Sequence, residues 1–462
     1  MQNQEQSINK TVLLIVTMTS NFFNPLMGAA VNVALPKIGT EFSMSAVGMS
    51  WVTMSYLLAS AIFLVPFGKI GDIWGRKKVF LLGNIIFTIA TAACALSFSD
   101  SFLISSRLLQ GIASAMMFST SMAIVISAFK PEERGKVIGL NVSAVYIGLS
   151  VAPFLGGILT DSFGWRSLFY INTFVSALIS IAVFFKIKTD WAEAEKEKFD
   201  YLGSAILMVS ISMLMYGFSH LPKTYAIILT CSGLIGLIFF IFIEKRVKFP
   251  VLNINLFSEN RVFAFSNLSA LINYAATFAI SFVLSLYLQY VKGLSAREAG
   301  TLLIAQPLMM AIVASFSGKL SDKKDPRILS SIGMGISVIG LFMLSFLQQF
   351  TPNWYLILSM LILGFGFGLF SSPNTNAVMS SVERRFYGVA SATLSTMRST
   401  GMMFSMAIAS LSIHVFIGDA KYNPTLMPQF LISSRVVFMV FTVLCIGGIF
   451  SSMVGRQKKA IV

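Results

Sequence analysis

Fourteen apolar runs constrain this chain more than anything else in it. Their limits are 11–35, 47–67, 79–97, 102–129, 137–160, 167–187, 202–219, 224–243, 262–290, 299–317, 328–349, 353–380, 386–417 and 432–454. Each is about the length that crosses a hydrocarbon core of roughly 30 Å as a helix. Backbone polar groups in lipid must be satisfied within the chain, so the runs predict an all-α polytopic membrane protein. Composition agrees, because only 11% of the 462 residues are charged and 56% are hydrophobic, against about 25% charged in a typical globular domain. The net charge of +15 is dispersed in small groups between the runs. That dispersal suits a membrane surface and excludes a continuous nucleic-acid-binding face.

The basic residues orient the chain. Of the 34 Lys and Arg, 25 fall on the side that holds both termini, 7 on the other, and 2, Arg107 and Arg398, within runs. The positive-inside bias therefore predicts cytoplasmic termini. MQNQEQSINK leads into the first run without a small-residue cleavage signature, so that run is expected to be a retained helix. Cys94, Cys231 and Cys445 lie in apolar runs without paired spacing, which predicts small hydrophobes and neither disulfides nor a metal site.

Between the second and third runs lies a basic turn, GKIGDIWGRKK, residues 68–78. GKIGD recurs as GKLSD at 318–322, an offset of 250 residues, and Gly139 and Ala152 are echoed by Gly388 and Gly401 at an offset of 249. Two features at nearly one offset argue for internal duplication. The predicted domains are a first six-helix bundle at 1–187, a linker with two inserted helices at 188–261, and a second six-helix bundle at 262–462. The linker segment KTDWAEAEKEKFD, 188–200, is expected to be solvated or helical at the membrane surface.

These residues resemble the major facilitator superfamily, in its fourteen-helix branch of drug:proton antiporters, over essentially the whole chain. Gly68, Asp72, Gly75, Arg76 and Lys77 match the loop motif between helices two and three. Arg107, Gln110 and Gly111 match the helix-four motif, and Gly139, Gly148, Pro153 and Gly156 the helix-five antiporter motif. VNVALP at 31–36 and GWRSLFYIN at 164–172 look like the branch's first-helix and sixth-helix signatures. The resemblance implies that Arg107 lies near the coupling pathway. It also implies that Asp72 meets the start of the thirteenth run, near Tyr387 and Gly388, in the outward-facing state.

Physical readings of the same residues leave alternatives open. The helix-five glycines allow close approach of another helix, and Pro153 frees a carbonyl and bends the run, for a moving contact or for static packing. Ala152 stands where the family usually has glycine, which predicts a slightly looser contact. Arg107 faces a cavity, or it snorkels outward or hydrogen-bonds exposed carbonyls as a post, with Gln110 on the same face. Asp72 pairs with Arg76 or faces a helix N-terminus of the other bundle. In the second copy Asp322 persists, while Pro326 takes the place of Arg76.

None of the 19 acids lies deep in a run, and Met27 and Ala29 stand where the branch commonly has aspartate and threonine. The usual embedded acid for a proton or a cationic drug is missing. Arg398, near the middle of the thirteenth run, is a cavity-facing cation or a brace between helices. His414 is near the outer end and reads as structural. The predicted substrate cavity is lined by Asn24, Asn32, Tyr146, Asn273, Tyr274, Tyr287, Gln306, Asn374 and Asn376, with the abundant Met and Phe as an adaptable wall.

No phosphate loop, HExxH or CxxC is present, so no cofactor, metal or enzymatic activity is expected. The expected function is export of a small lipophilic or amphipathic compound across a prokaryotic-type cytoplasmic membrane, by a monomer coupled to protons. The alternatives are a facilitator or flippase for an anionic or amphipathic metabolite or lipid, and a non-transporting receptor or scaffold.

Overall fold

The computed structural model describes residues 9–454 apart from 193, 195, 196, 222, 253, 322, 383–386 and 419–425. Asp322 and the acids and bases at 383–385 and 419–421 therefore lie outside the described residues. So does the side-chain setting of Tyr387 and Gly388, where the family resemblance places the partner of Asp72.

The first half contains α1 (Lys10–Glu41), α2 (Ala46–Trp74), α3 (Arg76–Ala95), α4 (Asp100–Ala128), α5 (Pro131–Phe163) and α6 (Arg166–Lys186). The inserted pair is α7 (Tyr201–Ser219) and α8 (Thr224–Glu244), followed by the short α9 (Asn255–Glu259). The second half runs through α10 (Arg261–Thr277), α11 (Ile280–Leu286), a π turn (Tyr287–Val291), α12 (Ala296–Leu303), α13 (Ala305–Ser321), α14 (Pro326–Leu344), α15 (Asn353–Ser380), α16 (Tyr387–Ile417) and α17 (Met427–Met453). Among the described residues fourteen helical spans are long and apolar enough to cross a membrane.

Two of the expected runs are interrupted. The tenth divides into α12 and α13 around Ile304, where Pro307 cannot donate to the carbonyl of Leu303. The ninth divides at Phe278 and Ala279, and there the Ala279 N–H donates to Ser405 Oγ of α16 at 2.9 Å. A side chain from another helix takes over a bond the helix would otherwise make to itself.

Packing repeats between the halves. In the first, α1 packs on α5, α2 and α3 on α4, and α3 on α6; in the second, α10 packs on α16, α13 and α14 on α15, and α14 on α17. The pairs α2 with α16, and α5 with α12 and α13, join the halves. The inserted α7 and α8 pack on each other, and α7 also touches α2 and α16. Ala61, Ile62 and Val65 of α2, Met403 of α16, and Leu207, Ile211, Met215 and Phe240 of the inserted pair form one apolar cluster there.

The linker departs from expectation. Its described residues between 188 and 200 form no helix, and they dock on the basic turn. Arg76 N–H donates to the Trp191 carbonyl at 2.8 Å and Ala194 N–H to the Asp72 carbonyl at 2.9 Å. Asp190 Oδ1 accepts from Lys77 N–H at 2.9 Å, and Lys69 is paired with Glu197. Gly75 has φ +116°, and a Cβ there would strike the Asp190 carboxylate. The turn's exposed backbone groups thus find partners in the linker, which fixes it against the first half instead of leaving it in solvent.

Candidate functional site

The halves are joined by hydrogen bonds at mid-depth and toward the face opposite the basic turn. Asn32 Nδ2 donates to Ser281 Oγ at 3.2 Å, Ser50 Oγ to Ser410 Oγ at 2.9 Å and Gln289 Nε2 to the Val33 carbonyl at 2.9 Å. Near that surface Asp161 bridges the halves, accepting from Lys37 Nζ at 2.6 Å and from Arg297 N–H at 3.1 Å. The helix-five backbone is close-packed here. Added side-chain atoms on Gly157 would meet the Ala296 carbonyl at 2.5 Å, and on Gly300 would run into the Pro153 carbonyl.

The expected glycines divide into two kinds. Gly148 abuts the Phe22 carbonyl and Gly156 sits against Ala30, both on α1, so they serve packing within the first half. Gly139 has open space around it and is exposed. It is not a close-approach point as the reading of helix five expects, because no atom lies within 4 Å of where a side chain would begin. Ala152 is completely buried, and no looseness appears there. Between α1 and α5 on that side lies an apolar cavity of about 350 Å³ bounded by Met18, Phe22, Leu140 and Ile147.

Arg107 is fully buried within the first half. Nε donates to the Val52 carbonyl at 3.0 Å, Nη1 to Gln110 Oε1 at 2.6 Å, and the guanidinium lies 4.4 Å from the Tyr56 ring centroid. Nη2 is buried without a partner. Gln110 passes the network on to Thr91 Oγ1 at 2.8 Å. Tyr56 bonds to Asn24, and Ser114 Oγ lies 2.9 Å from its hydroxyl and donates to Asn24 Oδ1 at 3.2 Å. Tyr56 and Ser114 are members that the sequence reading missed; one hydroxyl among many apolar residues gives no signal of which face it takes.

In the second half, Arg398 Nη2 donates to Thr375 Oγ1 at 2.6 Å, and its guanidinium lies 5.6 Å from the Tyr274 ring centroid. Its Nε is buried and unpartnered. Tyr274 stands edge-on to Phe367, and Tyr146 reaches from the first half to hydrogen-bond Ser371. Asn374 Nδ2 is buried without a partner, and both polar atoms of the completely buried Asn273 are likewise unsatisfied. Arg398, Tyr274 and Tyr146 thus come together where the halves meet.

Other expected lining residues take different places. Tyr287 is fully buried and donates to the Gln348 carbonyl at 2.6 Å, so it braces a loop instead of facing the cavity. Asn376 Nδ2 donates to Ser321 Oγ at 3.1 Å, inside the second half. The Gln306 carbonyl packs against Gly364. In the basic turn, Gly68 lies against Ser119 and Asp72 Oδ1 accepts from Arg76 Nε at 2.7 Å, the local pairing of the two alternatives. Met27, at the position commonly acidic, is buried.

The profile of the Major Facilitator Superfamily matches residues 17–406 and 267–456. The chain is 30% identical over 97% of its length to the riboflavin transporter RibZ of Clostridioides difficile, covering 98% of that protein. It is 28% identical over 87% of its length to the multidrug resistance protein Stp of Mycobacterium tuberculosis, covering 76% of it. The fold matches an inward-facing, occupied bacterial homologue of the human lysosomal transporter Spinster with a TM-score of 0.70 at 16% identity, covering 96% of each chain. It matches the human organic anion transporter MFSD10 with a TM-score of 0.62 at 14% identity, over 95% of this chain and 99% of that one. With this profile over most of its length, fourteen spans and duplicated packing, the chain belongs to the Major Facilitator Superfamily of membrane transporters.

Proposed function

We propose that the protein exports small lipophilic or amphipathic compounds by alternating access. In this reading residues 1–187 and 262–462 rock about a central site, while 188–261 carry the linker and inserted pair. The protein works as a monomer in a prokaryotic cytoplasmic membrane, and protons moving inward drive it. The observation that carries the reading is the cluster of Arg398, Tyr274 and Tyr146 at the seam between halves. A guanidinium with an unsatisfied Nε beside aromatic rings suits an amphiphile that is anionic or rich in acceptors, and disfavours a cation.

A second reading, uptake or release of a planar hydrogen-bonding aromatic, is favoured by the similarity to RibZ along nearly the whole chain. Reconstituted vesicles separate the two. An imposed pH gradient, acid on the side opposite the basic turn, is expected to drive an anionic or neutral amphiphilic dye toward that side and to leave riboflavin unmoved. Riboflavin flux without dye flux favours the second reading. No effect of the gradient on any solute removes proton coupling.

A further inference from the structure

The spans hold no acid at mid-depth, yet one carboxylate of the inserted pair is thoroughly buried. Glu244, the last residue of α8, is 2% exposed. Its Oε1 accepts from Leu252 N–H at 2.7 Å, while Oε2 is buried with no partner. Asp200, which caps α7, has the same division: Oδ1 accepts from Gly203 N–H at 2.8 Å, and Oδ2 is buried without a partner. The two unsatisfied oxygens converge on one point. A Cβ on Gly203 would run into Asp200 Oδ2 and would lie 2.7 Å from Glu244 Oε2. Only glycine leaves room for both carboxylates against the start of α7.

Among the described residues no ion pair neutralises either carboxylate. Ser204, the next residue of α7, is 2% exposed and its hydroxyl is also unpartnered. Lys198, Lys245, Arg246 and Lys248, the basic residues described on the same segments, are exposed, and none pairs with either carboxylate. Lys196 lies outside the described residues. The α2 and α16 surfaces against the inserted pair are apolar, through Ala61, Ile62, Val65 and Met403. Two facing carboxylates with buried, unpaired oxygens cannot both ionise cheaply, whereas one proton between them satisfies both as donor and acceptor.

We propose that Asp200 and Glu244 form a proton-binding site, with one proton held between Asp200 Oδ2 and Glu244 Oε2. The site ties the first residue before α7 to the last of α8 and, through Leu252, to the segment leading into the second half. Asp200 also ends the linker that docks on the basic turn, so losing the proton places two repelling charges where the insert joins that linker. This site does not depend on the substrate reading given above.

The test uses the full-length protein in nanodiscs, wild type beside Glu244→Gln and Asp200→Asn. A carboxamide donates the same hydrogen bond without titrating. The thermal midpoint of the wild type is expected to fall as pH rises above the ordinary carboxyl range, where the unfolded chain has given up a proton that the folded pair still holds, and the fall is expected to vanish in both variants. Infrared spectra at neutral pH should show a protonated-carboxyl carbonyl band that either substitution removes. If Glu244→Gln does not fold, Asp200→Asn alone decides. The same pH slope in wild type and variants, with no band lost, overturns the site. So does stability that follows sodium concentration at fixed pH, which would make this a metal-cation site instead.

Discussion

Arg107 and Arg398 are both membrane-embedded cations, but their surroundings give them different work. Arg107 is enclosed by its own half, with Val52, Gln110 and the Tyr56 ring around it. Arg398 is half-buried at the seam and spends one donor on Thr375. If Arg398 holds an anionic or acceptor-rich substrate, Arg398→Ala should weaken binding of that compound about tenfold or more, since a hydrogen bond to a charged group contributes ~1.5–3 kcal/mol. Arg398→Lys should recover only part of it, because the ammonium keeps the charge and loses the planar fork. Titration of purified protein with an anionic amphiphile measures both, and unchanged affinity in Arg398→Ala would take this residue out of the site. Conversely, Met27→Asp should shift preference toward lipophilic cations by placing a carboxylate within the first span, whose one acid, Glu41, is its last residue. Competition between a cationic and an anionic dye reads that shift, and an unaltered ratio would show that Met27 does not face the cavity.

Among the helices, α5 shows how one motif serves two ends of an element. Gly148 is wedged against the Phe22 backbone, whereas Gly139 borders open space. Gly148→Ala should therefore destabilise the protein by about 1–3 kcal/mol, the usual cost of overpacking a tight contact. Gly139→Ala should be neutral or slightly stabilising, because alanine is the better helix former by about 1 kcal/mol. Thermal unfolding in detergent distinguishes them, and equal losses would mean that Gly139 is also tightly packed. The sequence motif alone treats these glycines alike, since spacing records that a side chain is missing and not what fills the gap. Pro307 is a visible interruption of the tenth run, but the break at Ala279 depends on Ser405, more than a hundred residues later. Glu244 was equally hidden: an acid at the end of an apolar run reads as solvated until the following segment folds back over it. The docked linker has the same cause, because Asp190 and Trp191 carry no local sign that the basic turn is their partner.

For the whole molecule, alternating access requires that the contacts closing one face be weak enough to break and specific enough to re-form. The face opposite the basic turn is held by many close backbone contacts and few charges, with Asp161 the carboxylate that bonds to both halves. Such an exposed bridge contributes little to overall stability, but it exists in only one arrangement of the halves, and a ligand or charge shifts an equilibrium only through interactions that differ between states. Asp161→Asn keeps the side-chain shape but removes the charge that strengthens the bond from Arg297 N–H across the seam. The population open at this face should then rise severalfold, without loss of folded protein. A cysteine introduced at Leu294, which lines the roughly 580 Å³ cavity on this face, reports the change through its labelling rate by a membrane-impermeant thiol reagent, with Cys231 replaced by serine to lower background. Faster labelling in Asp161→Asn, with wild-type labelling retained in Asp161→Glu, is the expected outcome. An unchanged rate would mean that the other contacts, among them those of Gly157 and Gly300 and the bond from Gln289 to the Val33 carbonyl, hold this face shut, and that Asp161 only anchors Lys37 within the first half.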